Sequence, residues 1–263
     1  MRGRGFLLMA NKSRYPTGVR PLLVEETARR RRVEARFVQV LERSAFAEIV
    51  LPIIDYAELY DSRKSYRFID REGELIAIRS DFTPMVARTL APTLAATNLP
   101  LRIFYRGDVI RCDPARLGTK GEMFQIGAEI IGDDSIAADI EILRLATDCV
   151  REFNVRPLVI YTHVLDSSTE LIAKRRTAGV TLEDIEPLAS SRLSAIAKEL
   201  PDFALHLDDF DEDAGYYTGL RFRIYDAASR AKLAEGGRYD KLYGTFGTLA
   251  AAVGFTFTID DLD

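Results

Sequence analysis

Gln125-Ile-Gly-Ala-Glu129 is the stretch whose residue types and spacing come nearest to a built site. Side chains alternate along an extended strand, so Gln125, Gly127 and Glu129 would share one face and Ile126 and Ala128 the other. A Gln and a Glu flanking a Gly can floor a pocket, because the glycine leaves room for a ligand and the carboxylate accepts from an N–H donor. The same pattern suits an exposed outer sheet face, and spacing alone leaves both readings open. Gly215-Tyr-Tyr-Thr-Gly219 adds two adjacent tyrosines. On a strand they would point to opposite faces, with one hydroxyl toward the Gln125 and Glu129 surface or with both rings half-buried. The double glycine of Gly236-Gly-Arg-Tyr239 permits a positive-φ turn or a close backbone approach to a ligand.

Arg102, Arg106, Arg111, Arg116 and Lys120 could cradle phosphates through paired guanidinium contacts, or could be surface charges. No glycine-rich P-loop or dinucleotide fingerprint accompanies them, so nucleotide binding does not follow from spacing. His163 and His206 lie far from Cys112 and Cys149 and show no ligand spacing, which argues against a metal site. No G-x-S-x-G elbow is present, and no residue stands out as a nucleophile. No cofactor is implied.

The elements that must position these residues follow from periodicity. Apolar residues at Val33, Phe37, Val40 and Leu41 predict an amphipathic helix over 25–44. Its run Arg29-Arg-Arg-Arg32 shares the helix with Glu25, Glu26, Glu34 and Glu42, which favours a solvated face over an RNA contact. An apolar run over 46–56 precedes a β-hairpin, 66–70 and 75–79. Thr83 as N-cap with Pro84 at the first helical position predicts a helix to about residue 90. Two strands, 101–111 and 122–131, form a long hairpin with a basic tip, followed by a helix starting near Ser135 and a strand over 156–161. Residues 166–201 are helix-prone and read as a small helical insertion. A second hairpin, 216–225 and 230–235, leads into a turn over 236–240 with a short helix, and 251–259 is a closing strand. Strands joined mostly as hairpins, with helices between groups, predict an antiparallel sheet covered by helices, the α+β class.

Composition narrows the setting. The 263 residues are 47% hydrophobic and 29% charged, which excludes a disordered or collagen-like chain and supplies a full core. Thirty-six basic against 40 acidic residues give a net charge of −4, without the basic footprint of a nucleic-acid binder. Two cysteines cannot build a disulfide framework, which suits a reducing compartment. The start of the chain has an apolar stretch about half the length of a signal peptide's, and no window reaches the ~18 to 20 apolar residues of a membrane span. The expectation is a soluble, cytoplasmic protein.

The order of segments resembles the catalytic domain of histidyl-tRNA synthetases, which are class II synthetases. It is still more similar to their paralogues, the regulatory subunits of short-form ATP phosphoribosyltransferases. The resemblance runs from about residue 16 to residue 262. Arg79-Ser-Asp-Phe-Thr-Pro-Met-Val-Ala-Arg88 resembles the R-A-D-x-T-P-x-V-A-R of the regulatory family, where synthetases carry R-P-E-G-T. Tyr105-Arg-Gly-Asp-Val-Ile-Arg111 with Glu122-Met-Phe-Gln-Ile-Gly-Ala-Glu-Ile-Ile-Gly132 looks like the class II motif 2 hairpin, with Arg111 at the position of its arginine. Tyr216-Tyr-Thr-Gly219 and Gly236-Gly-Arg-Tyr-Asp240 resemble the two histidine-family signature peptides.

The resemblance implies a class II synthetase-like fold in one domain, 1–263, with a short helical insertion at 166–203 and no anticodon-binding domain. It implies a histidine pocket in which Asp81 and Thr83 meet an α-amino group, and Gln125, Glu129 and Tyr217 face the α-amino and imidazole groups, with Arg111 alongside. The departures lie at Glu212 and Asp261, where active synthetases carry arginines. Loss of one preorganised donor costs about 3 to 4 kcal/mol in a transition state. A reversed charge adds on the order of 4 kcal/mol at 4 Å and an effective dielectric of 20. The implied protein is therefore a non-catalytic regulatory subunit. Its implied partner is the phosphoribosyltransferase catalytic subunit that joins ATP to phosphoribosyl pyrophosphate in the first step of histidine biosynthesis. Histidine is the implied effector, and a homodimer core within a larger hetero-oligomer the implied assembly. An amino-acid-activating domain is the alternative, and a synthetase-like RNA-binding module is a third reading that the acidic charge disfavours.

Overall fold

A computed structural model of the protein describes residues 15–16, 18–112, 121–153, 155–163, 191–205 and 216–262. Their centre is an eight-stranded sheet of β1 (Ala47–Glu48), β5 (Leu101–Ile110), β6 (Glu122–Ile131), β11 (Ala252–Thr258), β10 (Lys232–Arg238), β9 (Leu220–Asp226), β7 (Pro157–His163) and β8 (Ala204–Leu205), in that spatial order. The pairs are antiparallel except at the two edges, where β1 with β5 and β7 with β8 are parallel. The sheet is thus mixed where hairpin logic predicts it antiparallel throughout. The two edge strands are two residues long, too short to show a period in the sequence.

One face of the sheet carries helices α1 (Val24–Arg43), α3 (Ile136–Arg151) and α4 (Ser191–Glu199). The α1 stripe of Val33, Phe37, Val40 and Leu41 packs with Ile142 and Leu143 of α3 and with Ile126, Ala128 and Ile130 of β6. The other face meets α2 (Thr83–Leu90) and a three-stranded antiparallel sheet of β2 (Ile54–Tyr56), β4 (Leu75–Ile78) and β3 (Arg67–Ile69). Here Phe82, Met85 and Val86 pack on Ile103, Tyr105 and Val109 of β5. The two faces therefore divide β6 by its two-residue period. Ile126 and Ala128 sit in the helical layer, and Gln125, Gly127 and Glu129 face the α2 side.

The basic run of α1 is tied into the fold. Arg30 pairs with Asp260, and Arg31 pairs with Glu34, which also receives Arg106 of β5 at 2.8 Å. Helix α2 differs from expectation at its cap. Thr83 is its first residue, and its backbone N–H donates to Asp81 Oδ1 at 3.1 Å, so the aspartate does the capping. Gly236, Gly237 and Arg238 continue strand β10 instead of turning, and the following 3₁₀ turn spans Tyr243–Phe246. The glycines serve closeness rather than positive φ. A Cβ on Gly236 would strike the Gly254 carbonyl and the Phe222 ring, and one on Gly237 the Leu220 carbonyl and the Tyr217 ring. The described part of the predicted helical insertion is α4, and residues 164–190 lie outside the described residues.

Candidate functional site

Strands β6, β10 and β11, the start of α2 and the peptide before β9 converge on a narrow cleft with about 30 Å³ of free space. Asp81, Thr83, Arg111, Gln125, Glu129 and Tyr217, the six residues singled out by sequence, all line it. The exposed-face reading of the Gln125 and Glu129 pattern is overturned, since both side chains are buried.

Glu129 sits deepest, 1% exposed. Its Oε1 accepts from the Tyr105 hydroxyl at 3.0 Å and its Oε2 from the Tyr239 hydroxyl. Strand register explains the fit. Tyr105 of β5 lies opposite Gly127, and Glu129 lies opposite Gly254 of β11, so each large polar side chain faces a position without one. A Cβ on Gly127 would enter the Tyr105 ring, and one on Gly254 the Glu129 carboxylate. Tyr105 stacks on Phe82 with ring centroids 4.4 Å apart, which ties the cleft floor to α2.

The cleft lining is acidic, with Asp81, Glu129 and Glu235 against the guanidinium of Arg111. Burial raises the Asp81 carboxyl above its ordinary value, against the pull of Arg111 and the Thr83 N–H. Burial, reinforced by the nearby Asp81 charge, pushes Glu129 up to about 8 despite its tyrosine donors. Glu235 at the rim is opposite in sign. Burial would raise it, but Lys232 at 2.9 Å, Arg111 and Arg223 outweigh that and hold it below the usual carboxylate range. Arg111 donates its Nε to the Ser80 carbonyl at 3.0 Å, which fixes the guanidinium beside Asp81.

Tyr216 and Tyr217 precede β9 and do not point to opposite faces. Both line the cleft, with centroids 4.8 Å apart, and the Arg221 guanidinium lies 5.3 Å from the Tyr217 ring. The strand begins at Leu220, so alternation does not apply to them. The basic hairpin does not form a phosphate cradle among the described residues. Arg102 is paired with Glu141 at 2.9 Å and Arg106 with Glu34 and Glu48 at 2.8 Å, while residues 116 and 120 lie outside the described residues. Glu212 and the Asp261 side chain also lie outside them.

Several residues escaped the sequence reading. Tyr105, Tyr239, Gly254 and Thr256 hold or border Glu129, and only strand pairing brings them there. Arg79 is buried under the site with backbone partners, donating to the carbonyls of Leu51, Pro52 and Asp108 at 2.8 to 3.1 Å. Its guanidinium lies 3.9 Å from the Phe82 ring centroid, and a side chain on Gly107, at φ +150°, would run into it.

This arrangement suits a small ligand carrying an ammonium and a second N–H donor at its acidic end and an anionic group toward Arg111. Known proteins share the architecture. The ATP phosphoribosyltransferase regulatory subunit of Symbiobacterium thermophilum is 28% identical over 316 residues, covering 95% of this chain and 79% of that protein. That span exceeds the 263 residues of this chain, so the relative carries segments that this chain lacks. A crystal structure of an ATP phosphoribosyltransferase regulatory subunit/histidyl-tRNA synthetase from Bacillus halodurans superposes with a TM-score of 0.77 at 21% identity, covering 95% of this chain and 82% of that one. Apo S. aureus histidyl-tRNA synthetase superposes with a TM-score of 0.73 at 21% identity, covering 94% of this chain and 68% of that one. Both share the class II synthetase-like α+β fold. The family model for histidyl-tRNA synthetase matches residues 18–167 and 161–262, spanning every strand that walls the cleft, and the chain belongs to that family.

Proposed function

We propose that the chain is a non-catalytic regulatory subunit of a short-form ATP phosphoribosyltransferase and takes histidine in the cleft. The observation that carries this reading is the convergence of Asp81, Thr83, Arg111, Gln125, Glu129 and Tyr217 on one acidic cleft, in a chain whose curated relatives are named as such subunits. Asp81 would meet the α-ammonium, Arg111 the carboxylate, and Glu129 with Gln125 and Tyr217 the imidazole. Binding acts as feedback if histidine prefers one state of the assembly over another. Because the partner's substrates, ATP and phosphoribosyl pyrophosphate, are cytoplasmic, so is the proposed subunit. Among the described residues no helix is long and apolar enough to cross a membrane.

The reading includes a homodimer core. The three-stranded sheet carries Ile54, Tyr56 and Phe68 exposed on one face, in register with Ile76 and Ile78. An apolar patch of that kind marks an interaction surface. It supports self-association through this sheet within the hetero-oligomer.

Mixing the purified chain with a short catalytic subunit tests the function. Phosphoribosyl-ATP formation is expected to rise above that of the catalytic subunit alone, and histidine to lower it again. No rise with the chain present overturns the activating role. Histidine-dependent ATP–pyrophosphate exchange by the chain alone would replace it with the amino-acid-activating reading.

A further inference from the structure

The described groups that face Glu129 come from β5, β11, the segment after β10 and the start of α2. Tyr105 comes from β5, Thr256 and the Gly254 backbone from β11, Tyr239 and Tyr243 from the segment after β10, and Asp81 and Thr83 from the start of α2. Among these described residues the charged group is another carboxylate, Asp81. The cleft's guanidinium, Arg111, is held at the Ser80 carbonyl and acts on Asp81 and Glu235. An ionised Glu129 in the empty cleft would be a fully buried charge beside a like charge, with hydroxyls as its hydrogen-bond partners.

We propose that Glu129 holds a proton in the empty cleft and passes it to the imidazole of an entering histidine, which is then held as an imidazolium against the Glu129 carboxylate. This rests on the histidine reading above and extends it to the proton. The carboxyl O–H bond breaks, a ring N–H bond forms, and no proton is exchanged with water near neutral pH. The ligand prepares the transfer itself. Its ammonium neutralises Asp81 and removes the repulsion on Glu129, and the Tyr105 and Tyr239 hydroxyls are already placed to donate to the carboxylate left behind.

The bound pair carries one proton whichever partner supplies it. Between the imidazole value of about 6.5 and the Glu129 value of about 8, the empty cleft brings that proton and the ligand brings none. Above about 8 a proton must be taken up from solvent, and histidine affinity falls about tenfold per pH unit. Below about 6.5 both partners arrive protonated, one proton must leave, and affinity falls again.

Titration calorimetry with histidine, in buffers of different ionisation enthalpy, counts these protons. The expected result is release of about one proton near pH 5.5, almost none near pH 7 and, near pH 9, uptake of about one proton for the Glu129 pair with a further share for the ligand's α-amino group. Glu129→Gln should remove the Glu129 share of the uptake near pH 9 and leave that of the histidine α-amino group, while Asp81→Asn should weaken binding yet keep it. Release of a proton at neutral pH, or uptake unchanged in Glu129→Gln, overturns the proposal and leaves the histidine reading standing. Absence of binding heat in the wild type at every pH removes the histidine reading and this proposal with it. Should Glu129→Gln fail to fold, ring-nitrogen resonances of labelled histidine on the wild type decide. An imidazolium signature near pH 7 is expected, and a neutral ring overturns the transfer.

Discussion

Glu129 is placed at the bottom of the cleft against the usual rule for carboxylates, and its surroundings make it sensitive to pH. Its folded value of about 8 exceeds the ordinary 4.5, so the folded state binds more protons than the unfolded chain between those limits. Stability therefore falls as pH rises through that window, by about 1.4 kcal/mol per unit of difference. Glu129→Gln removes this loss and should leave the variant more stable than wild type above about pH 8, with little difference near pH 4.5. Urea midpoints at the two ends of the window check it, and parallel pH profiles would contradict it. Gly254→Ala tests the same spot by shape. The added methyl enters the Glu129 carboxylate, and overpacking of this kind costs about 1 to 3 kcal/mol. A fall in denaturation midpoint and loss of histidine binding are expected together.

Helix α3 and strand β10 are joined by a buried ionic knot that also reaches α4. Arg238, 2% exposed, donates its Nε to Asp139 Oδ1 at 2.8 Å, and Arg192 of α4 pairs with Asp139 Oδ2. Arg238 further donates to the Asp133 carbonyl and to Asp240 Oδ1, both at 3.0 Å. The Asp240 backbone N–H in turn donates to the Thr218 hydroxyl oxygen at 2.9 Å, so the knot fixes the segment that presents Tyr239 to Glu129. Asp139→Ala strips Arg238 of its buried counter-charge and should cost about 3 to 5 kcal/mol by chemical denaturation. Arg192→Ala should cost less, because that guanidinium is partly solvated and Asp139 keeps Arg238. Equal losses from the two variants would contradict this division of roles.

At the scale of the whole molecule, the helical layer and the cleft lie on opposite faces of the sheet, and the three-stranded sheet leaves its apolar face outward. Phe68→Glu places a charge on that face from the edge strand β3, which is exposed and contributes little to the fold. Sedimentation velocity should show a dimer becoming a monomer without change in thermal stability. A dimer that survives the substitution would assign the pairing to another surface.

Periodicity alone was enough for α1, the long β5–β6 hairpin, α3 and the closing strand, because each is long enough to display its apolar repeat. It also placed Gln125 and Glu129 on one face of β6, since a two-residue period needs nothing beyond the strand itself. Family motifs brought in Asp81, Thr83, Arg111 and Tyr217. What the chain order could not supply is which strands become neighbours. Pairing β6 with β11 and β5 sets Gly254 and Tyr105 against Glu129 from positions 125 residues later and 24 earlier, and it buries the carboxyl. That burial decides whether Glu129 is a solvated surface charge or a proton-bearing group, because the cost of a charge depends on what surrounds it in space and not on its neighbours along the chain.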